Sequence, residues 1–237
     1  MSLLTIVADA CDRVGVPAPT SVISSSDNTI KQMRALCNQE VKDLGRAHSW
    51  QVLQREYTWI ATAEEEQVNI RTDVMDFDRF MPYTMFNRTR NRIVSGPLTP
   101  SEWQDLKSRS ATVVYDAFRE RANKLLFMPT PTAGQEYVFE YVSCYTVSDA
   151  GSAETKIKFT ADGDYPLVDE ELVTLGLIWR WYRAKGLDYS EAFTSYEAMK
   201  RELMSRDGGQ RGADLGKFSG WRGPRFPLFP DSSWNVS

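Results

Sequence analysis

Apolar residues recur at helical spacing near both ends of the chain and at strand spacing through its middle. Leu3, Val7, Cys11 and Val14 fall on one face of a helix predicted over residues 3–14, which Ser2 can cap and which Gly15 and Pro17 stop. After a loop rich in Pro, Ser and Thr over 16–27, Ile30, Met33, Cys37, Val41 and Leu44 form the stripe of a second helix over 28–47, with Asp27 at its N-cap. From Trp50 to Thr160 short runs alternate apolar and polar residues, the period of strands. In the clearest run, 136–146, Tyr137, Phe139, Tyr141 and Tyr145 face one way and Glu136, Glu140 and Thr146 the other. The connection 129–134, Pro-Thr-Pro-Thr-Ala-Gly, predicts a hairpin between this run and Leu125–Phe127.

One short helix interrupts the strands. Thr99-Pro100-Ser101-Glu102 sets a capping Thr before Pro at N1 and Glu at N3, and Leu98 and Trp103 occupy the two staple positions. The helical period returns near Pro166. A helix over about 166–184 carries Val168, Leu172, Leu175, Trp179 and Tyr182 on one face and Val173, Leu177 and Trp181 on a second. Lys185 and Gly186 end it, Asp188 and Glu191 suit the next N-cap and N3, and a last helix over about 189–206 displays Phe193, Tyr196, Met199 and Leu203. The short connection makes the pair an antiparallel hairpin. After Asp207 the periodicity stops at Gly208-Gly209.

The order predicts an α+β fold: a helical bundle built from residues 1–49 and 161–207, a β-rich insertion over 50–160, and an extended C-terminal arm over 208–237. The chain is 237 residues long, 42% hydrophobic and 25% charged, the composition of a globular protein with a real core. Its net charge of -4 argues against tight nucleic-acid binding by phosphate neutralisation. Cys11, Cys37 and Cys144 show no metal-ligand spacing and read as small buried hydrophobes in a reducing compartment. The N-terminus lacks the basic segment of a signal peptide, and the apolar stretch Leu172 to Trp181 is too short to span a bilayer. No membrane association is expected.

No catalytic, cofactor or metal site is expected. His48, the single histidine, lies at a helix end with no nucleophile pattern around it, and reads as structural. Asp73, Asp76 and Asp78 could suggest a hard cation, but they lack the Gly and terminal Glu of an EF-hand loop, and a solvated or Arg-paired loop is expected instead. Asp164 is expected to cap the helix after it, and Asp169, Glu170 and Glu171 to complement that helix's dipole. The unusual segment is the arm. Trp221, Phe226, Phe229 and Trp234 alternate there with Arg222, Arg225 and prolines, a composition suited to an interface. Those six residues are the candidate partner-binding anchors; folding back on the chain's own body is the competing reading.

Several segments, in order, resemble the head-to-tail adaptor or tail tubular A-like proteins of tailed phages. They are Leu44-Gly45-Arg46-Ala47-His48-Ser49-Trp50-Gln51, Phe77-Asp78-Arg79-Phe80, Phe86-Asn87-Arg88-Thr89, the run from Ser95 to Trp103, and 129–134 leading into Phe139-Glu140-Tyr141. Leu175 to Trp181 and Lys185 to Tyr189 complete the set, so the likeness covers residues 1 to about 207. The resemblance implies a non-enzymatic virion protein, assembled in the host cytoplasm, with twelve copies in a ring below the portal. It implies a portal partner, a tail nozzle or tail tube partner, and DNA passing through the lumen without specific binding. The two-faced helix over 166–184 would suit a subunit packed against neighbours. A tail or baseplate module recognising glycans is the alternative, supported only by the aromatic face of 137–145.

Overall fold

A computed structural model describes residues 1–108, 115–152 and 154–208. The chain is α+β. It opens with α1 (Leu3–Val14) and α2 (Asn28–Ala47). The Ser2 side chain accepts from the Thr5 amide, and Gly15, at φ 72°, closes α1 in the left-handed conformation that costs glycine least. Asp27 caps α2 through the Thr29 amide.

The middle of the chain runs through β1 (Gln54–Ile60), β2 (Glu66–Asn69), the single turn α3 (Ile70–Asp73), β3 (Phe77–Phe80), β4 (Phe86–Asn87) and β5 (Arg92–Ile93). It continues through α4 (Pro100–Ser108), β6 (Ala117–Arg121), β7 (Lys124–Met128) and β8 (Glu136–Ser143). Short strands β9 (Val147–Ser148), β10 (Thr155–Lys156) and β11 (Tyr165–Pro166) lead to α5 (Glu170–Lys185) and α6 (Ser190–Asp207). The capping box forms at α4: Thr99 donates its amide to Glu102 Oε2 at 2.7 Å, and the Glu102 amide donates to Thr99 Oγ1 at 3.3 Å.

The described strands make three sheets with antiparallel ladders. In the largest, β1, β8, β4 and β5 lie in that order and β3 also pairs with β8; the others are β10–β9–β11 and β2–β7–β6. The apolar side chains gather into two clusters. One is built on the helices: α5 packs on α1, α2 and α6, and Trp50, Leu53, Val147 and Phe159 close its margin. The other lies between the largest sheet and the β2–β7–β6 sheet. There rings meet across the two sheets, with Phe127 5.2 Å from Tyr137 and Phe118 5.7 Å from Phe80, while Phe139 and Tyr141 meet the β3 rings Phe80 and Phe77 of their own sheet. Strand β8 serves both, since its alternation sends Val142 into the helical cluster and Tyr141 into the aromatic one.

Four expectations change. First, β7 and β8 form no hairpin. β7 is flanked by β2 and β6, β8 by β1, β3 and β4, and the connection crosses between sheets while Gly134 and Gln135 bond Ala61. Alternation identifies a strand without naming its partner, and a connection this long with two prolines does not enforce a hairpin. Second, α5 starts at Glu170 and is capped by Asp169, not Asp164, because residues 165–166 are drawn into a strand beside β9. Third, Thr146 is buried rather than turned to solvent. Fourth, most of both faces of α5 is covered within the chain: Leu172, Val173, Leu177, Trp179 and Trp181 are buried, and Leu175 and Tyr182 are half-buried.

Candidate interaction surfaces

The described polar clusters are built to hold the fold. At the C-terminus of α2 the last carbonyls have no helical partners. Arg79, on β3, supplies them: its Nη2 donates to the carbonyl of His48 at 2.8 Å and to Ser49 Oγ at 3.3 Å, while Nη1 meets Asp78 at 2.5 Å. Trp50 Nε1 donates to the Leu44 carbonyl at 2.7 Å. The Leu44–Gln51 and Phe77–Phe80 segments, distant in sequence, thus meet where the helices join the strands.

His48 lies at the same joint. Its ring sits edge-on to Trp50 at 5.0 Å, and Nε2 is 3.3 Å from Asp207 Oδ2 at the end of α6. Asp207 also accepts from the Gln51 amide at 3.0 Å. The last turn of α6 is therefore tied to the start of the strand region. This arrangement supplies an anchor and no nucleophile.

A buried charge lies between α2 and α5. Glu40 is fully buried and pairs with Arg180 Nε, while Arg180 Nη2 reaches Asp43 at 2.9 Å and the guanidinium lies 4.7 Å from the Trp179 ring. Burial raises the Glu40 pKa, while Tyr196 and Arg180 pull it back; Tyr196 is itself pushed up by burial and by Glu40. Gly176 makes room: a Cβ there would stand 2.3 Å from Glu40 Cδ.

The acidic loop divides. Asp76 is buried and accepts from Tyr141 at 2.8 Å and Ser143 at 2.7 Å, with Arg55 at 3.0 Å; Asp78 pairs with Arg79, and Asp73 accepts from the Asn69 amide. The burial that excludes water from Tyr141, with Asp76 beside it, raises the tyrosine's pKa. Asp162 ties down the 16–27 loop through Ser21 and the amides of Val22 and Ile23. Asp164 accepts from the amides of Thr160 at 2.7 Å and Ala161 at 2.9 Å and from Lys156 at 3.0 Å. Burial opposes ionisation of Asp164, but these donors hold its pKa below the ordinary value. Among the described residues no group of three or more His, Cys, Asp or Glu could hold a metal ion, and no helix is long and apolar enough to cross a membrane.

Among the described residues two surface features stand out. Leu187, Tyr189 and Phe193 are exposed around the turn between α5 and α6, with Phe193 5.2 Å from Trp179. The second feature is a pair of grooves that meet at Tyr83 and Thr84, of about 420 and 410 Å³. Tyr83 is 64% exposed and holds φ 63°, a conformation uncommon for a bulky residue. Sequence reasoning missed these grooves, because they are assembled from β1, β8 and the 81–97 segment.

Of the six predicted anchors, Trp221, Arg222, Arg225, Phe226, Phe229 and Trp234, all lie outside the described residues. By contrast, of the rings behind the glycan-binding alternative, Tyr137, Phe139 and Tyr141 are buried and present no stacking face, while Tyr145 is half-buried. A comparison with curated proteins gives no match. A family model described as SU10 adaptor protein matches residues 1–222, which takes in the body and reaches Trp221 and Arg222 in the arm.

Proposed function

The chain belongs to the SU10 adaptor protein family, a phage adaptor family, and on that premise we propose that it is a structural, non-enzymatic component of the virion. Its copies form a ring between portal and tail, twelve in number to match a dodecameric portal. The family match over residues 1–222 carries this reading. DNA passes through the lumen without specific binding, in keeping with the net charge of -4. The narrower relationship is to the tail tubular A-like adaptors, and the tail-side partner is a nozzle or tube protein. Assembly takes place in the host cytoplasm.

In this reading residues 1–49 and 161–207 are the bundle, 50–160 the inserted β-rich block and 208–237 the arm. The separate helical and aromatic clusters support that partition, with Trp50, Leu53, Val142, Val147 and Phe159 of the block joining the helical one. The arm is the partner-binding element, and Trp221, Arg222, Arg225, Phe226, Phe229 and Trp234 are its anchors, aromatic and Arg side chains being those that dominate interfaces. In this reading a chain lacking 208–237 keeps both clusters, whose described members run from Leu3 to Tyr196. The test is portal capture by the full chain, the truncated chain and the Trp221→Ala/Phe226→Ala variant. Weakened capture with an unchanged circular dichroism spectrum supports the reading; undiminished capture by the truncated chain refutes the arm's role.

A further inference from the structure

The paired grooves on the β-rich region have the chemistry to receive the arm. Glu56 and Glu140 stand directly opposite each other in the antiparallel β1–β8 ladder and line one groove. Like charges in that position repel. Arg88 relieves Glu56, at 2.8 Å, but among the described residues no cation pairs with the Glu140 carboxylate. The adjoining groove is walled by Phe80, Pro97 and Phe118. Together they form a trough walled by Phe80 and Pro97 over the buried Phe118, with a carboxylate at one end and exposed Tyr83 at the junction.

We propose that this trough seats the 218–230 stretch of the arm of a second copy of this chain. That stretch reads Phe-Ser-Gly-Trp-Arg-Gly-Pro-Arg-Phe-Pro-Leu-Phe-Pro: it holds Arg222 and Arg225, no acidic residue, and three prolines among four aromatic rings. Proline-rich segments are pre-extended and dock in aromatic-lined grooves, while an arginine completes the site by pairing with a carboxylate. The inference deepens the adaptor reading, on which it rests, by making the arm a link between neighbouring subunits. Reach suffices. The residues between Gly208 and Phe218 span about 30 Å when extended at about 3.1 Å each, and a head-to-tail contact repeated around an axis closes a ring.

The test uses full chains. The Arg222→Glu/Arg225→Glu chain, whose own arm no longer suits the trough, is titrated with a fluorescent peptide of residues 216–232. The peptide should bind, and the Glu140→Arg chain with its arm unchanged, which likewise does not suit its own trough, should bind it about tenfold or more weakly, as loss of a charge-assisted contact does. A peptide carrying the same two Arg→Glu changes should prefer the Glu140→Arg receptor. Absence of binding, or binding indifferent to Glu140→Arg, overturns the proposal. Next, the Glu140→Arg chain and the Arg222→Glu/Arg225→Glu chain are mixed and weighed. Mixed oligomers support docking between copies. Separate monomers in the mixture overturn the proposal. Portal capture by the wild-type chain is read in parallel: its absence removes the adaptor reading while leaving the peptide result intact.

Discussion

Replacing Arg180 by Met isolates the buried charge between α2 and α5. Glu40 is fully buried, the Arg180 side chain is 12% exposed, and Arg180 is the cation that pairs with Glu40. Removing one partner of such a pair leaves an uncompensated buried charge, at a cost of about 3–5 kcal/mol. At about 2–4 °C per kcal/mol for a chain of this size, the midpoint of thermal unfolding should fall by about 6–20 °C at about pH 8. The sign of the pH dependence follows from Glu40. Its folded pKa is raised, burial being the main cause, and loss of Arg180 raises it further. The folded state therefore favours the protonated acid. The penalty is fully present above the folded pKa and shrinks as pH falls toward the ordinary glutamate value. The variant should thus recover toward wild type as pH is lowered toward the ordinary glutamate value of about 4.3. Adding Glu40→Gln, which removes the stranded charge and keeps an acceptor for Tyr196, should restore most of the loss at neutral pH. Thermal unfolding of the four chains, followed by circular dichroism, completes a double-mutant cycle. An Arg180→Met chain that melts with wild type at both ends of that pH range would refute the reasoning.

Arg79→Ala should destabilise by about 1–3 kcal/mol, the cost of leaving the α2 carbonyls unpaired, and Lys should restore only part of this because it lacks the guanidinium fork; urea midpoints check both. Asp164, whose pKa is depressed in the folded state, contributes stability that is present above the ordinary aspartate value and lost as pH falls through the folded one. Wild-type stability should therefore decline below about pH 4, whereas Asp164→Asn should be weaker at neutral pH and flatter across that acid window in a urea titration. His48→Gln, which retains a donor toward Asp207, should leave helix content and portal capture unchanged; loss of either would give the imidazole a role beyond anchoring.

The helix bounds of α1 and α2, the Asp27 cap and the capping box at α4 were legible because each is written in neighbouring residues. Pairing was not: the alternation of 136–143 marks a strand but is silent on whether β7 or β1 lies beside it. Glu40 left a faint trace, since it occupies a position on the Cys37–Leu44 stripe where an apolar residue is expected, and Gly176 opposite left none until the helices were packed. Arg79 resembles any strand arginine in sequence; its role depends on where α2 ends in space. The grooves at Tyr83 likewise combine residues from distant segments, whereas the arm stood out by composition alone.

The central claim is that this chain is a ring-forming adaptor that joins portal to tail. Mixing the purified full chain with an assembled portal, then measuring particle mass and imaging the particles end-on, tests it most directly. The account predicts a closed ring of twelve copies stacked coaxially on the portal, with an open lumen. Particles in which the chain remains monomeric beside unmodified portals would contradict it.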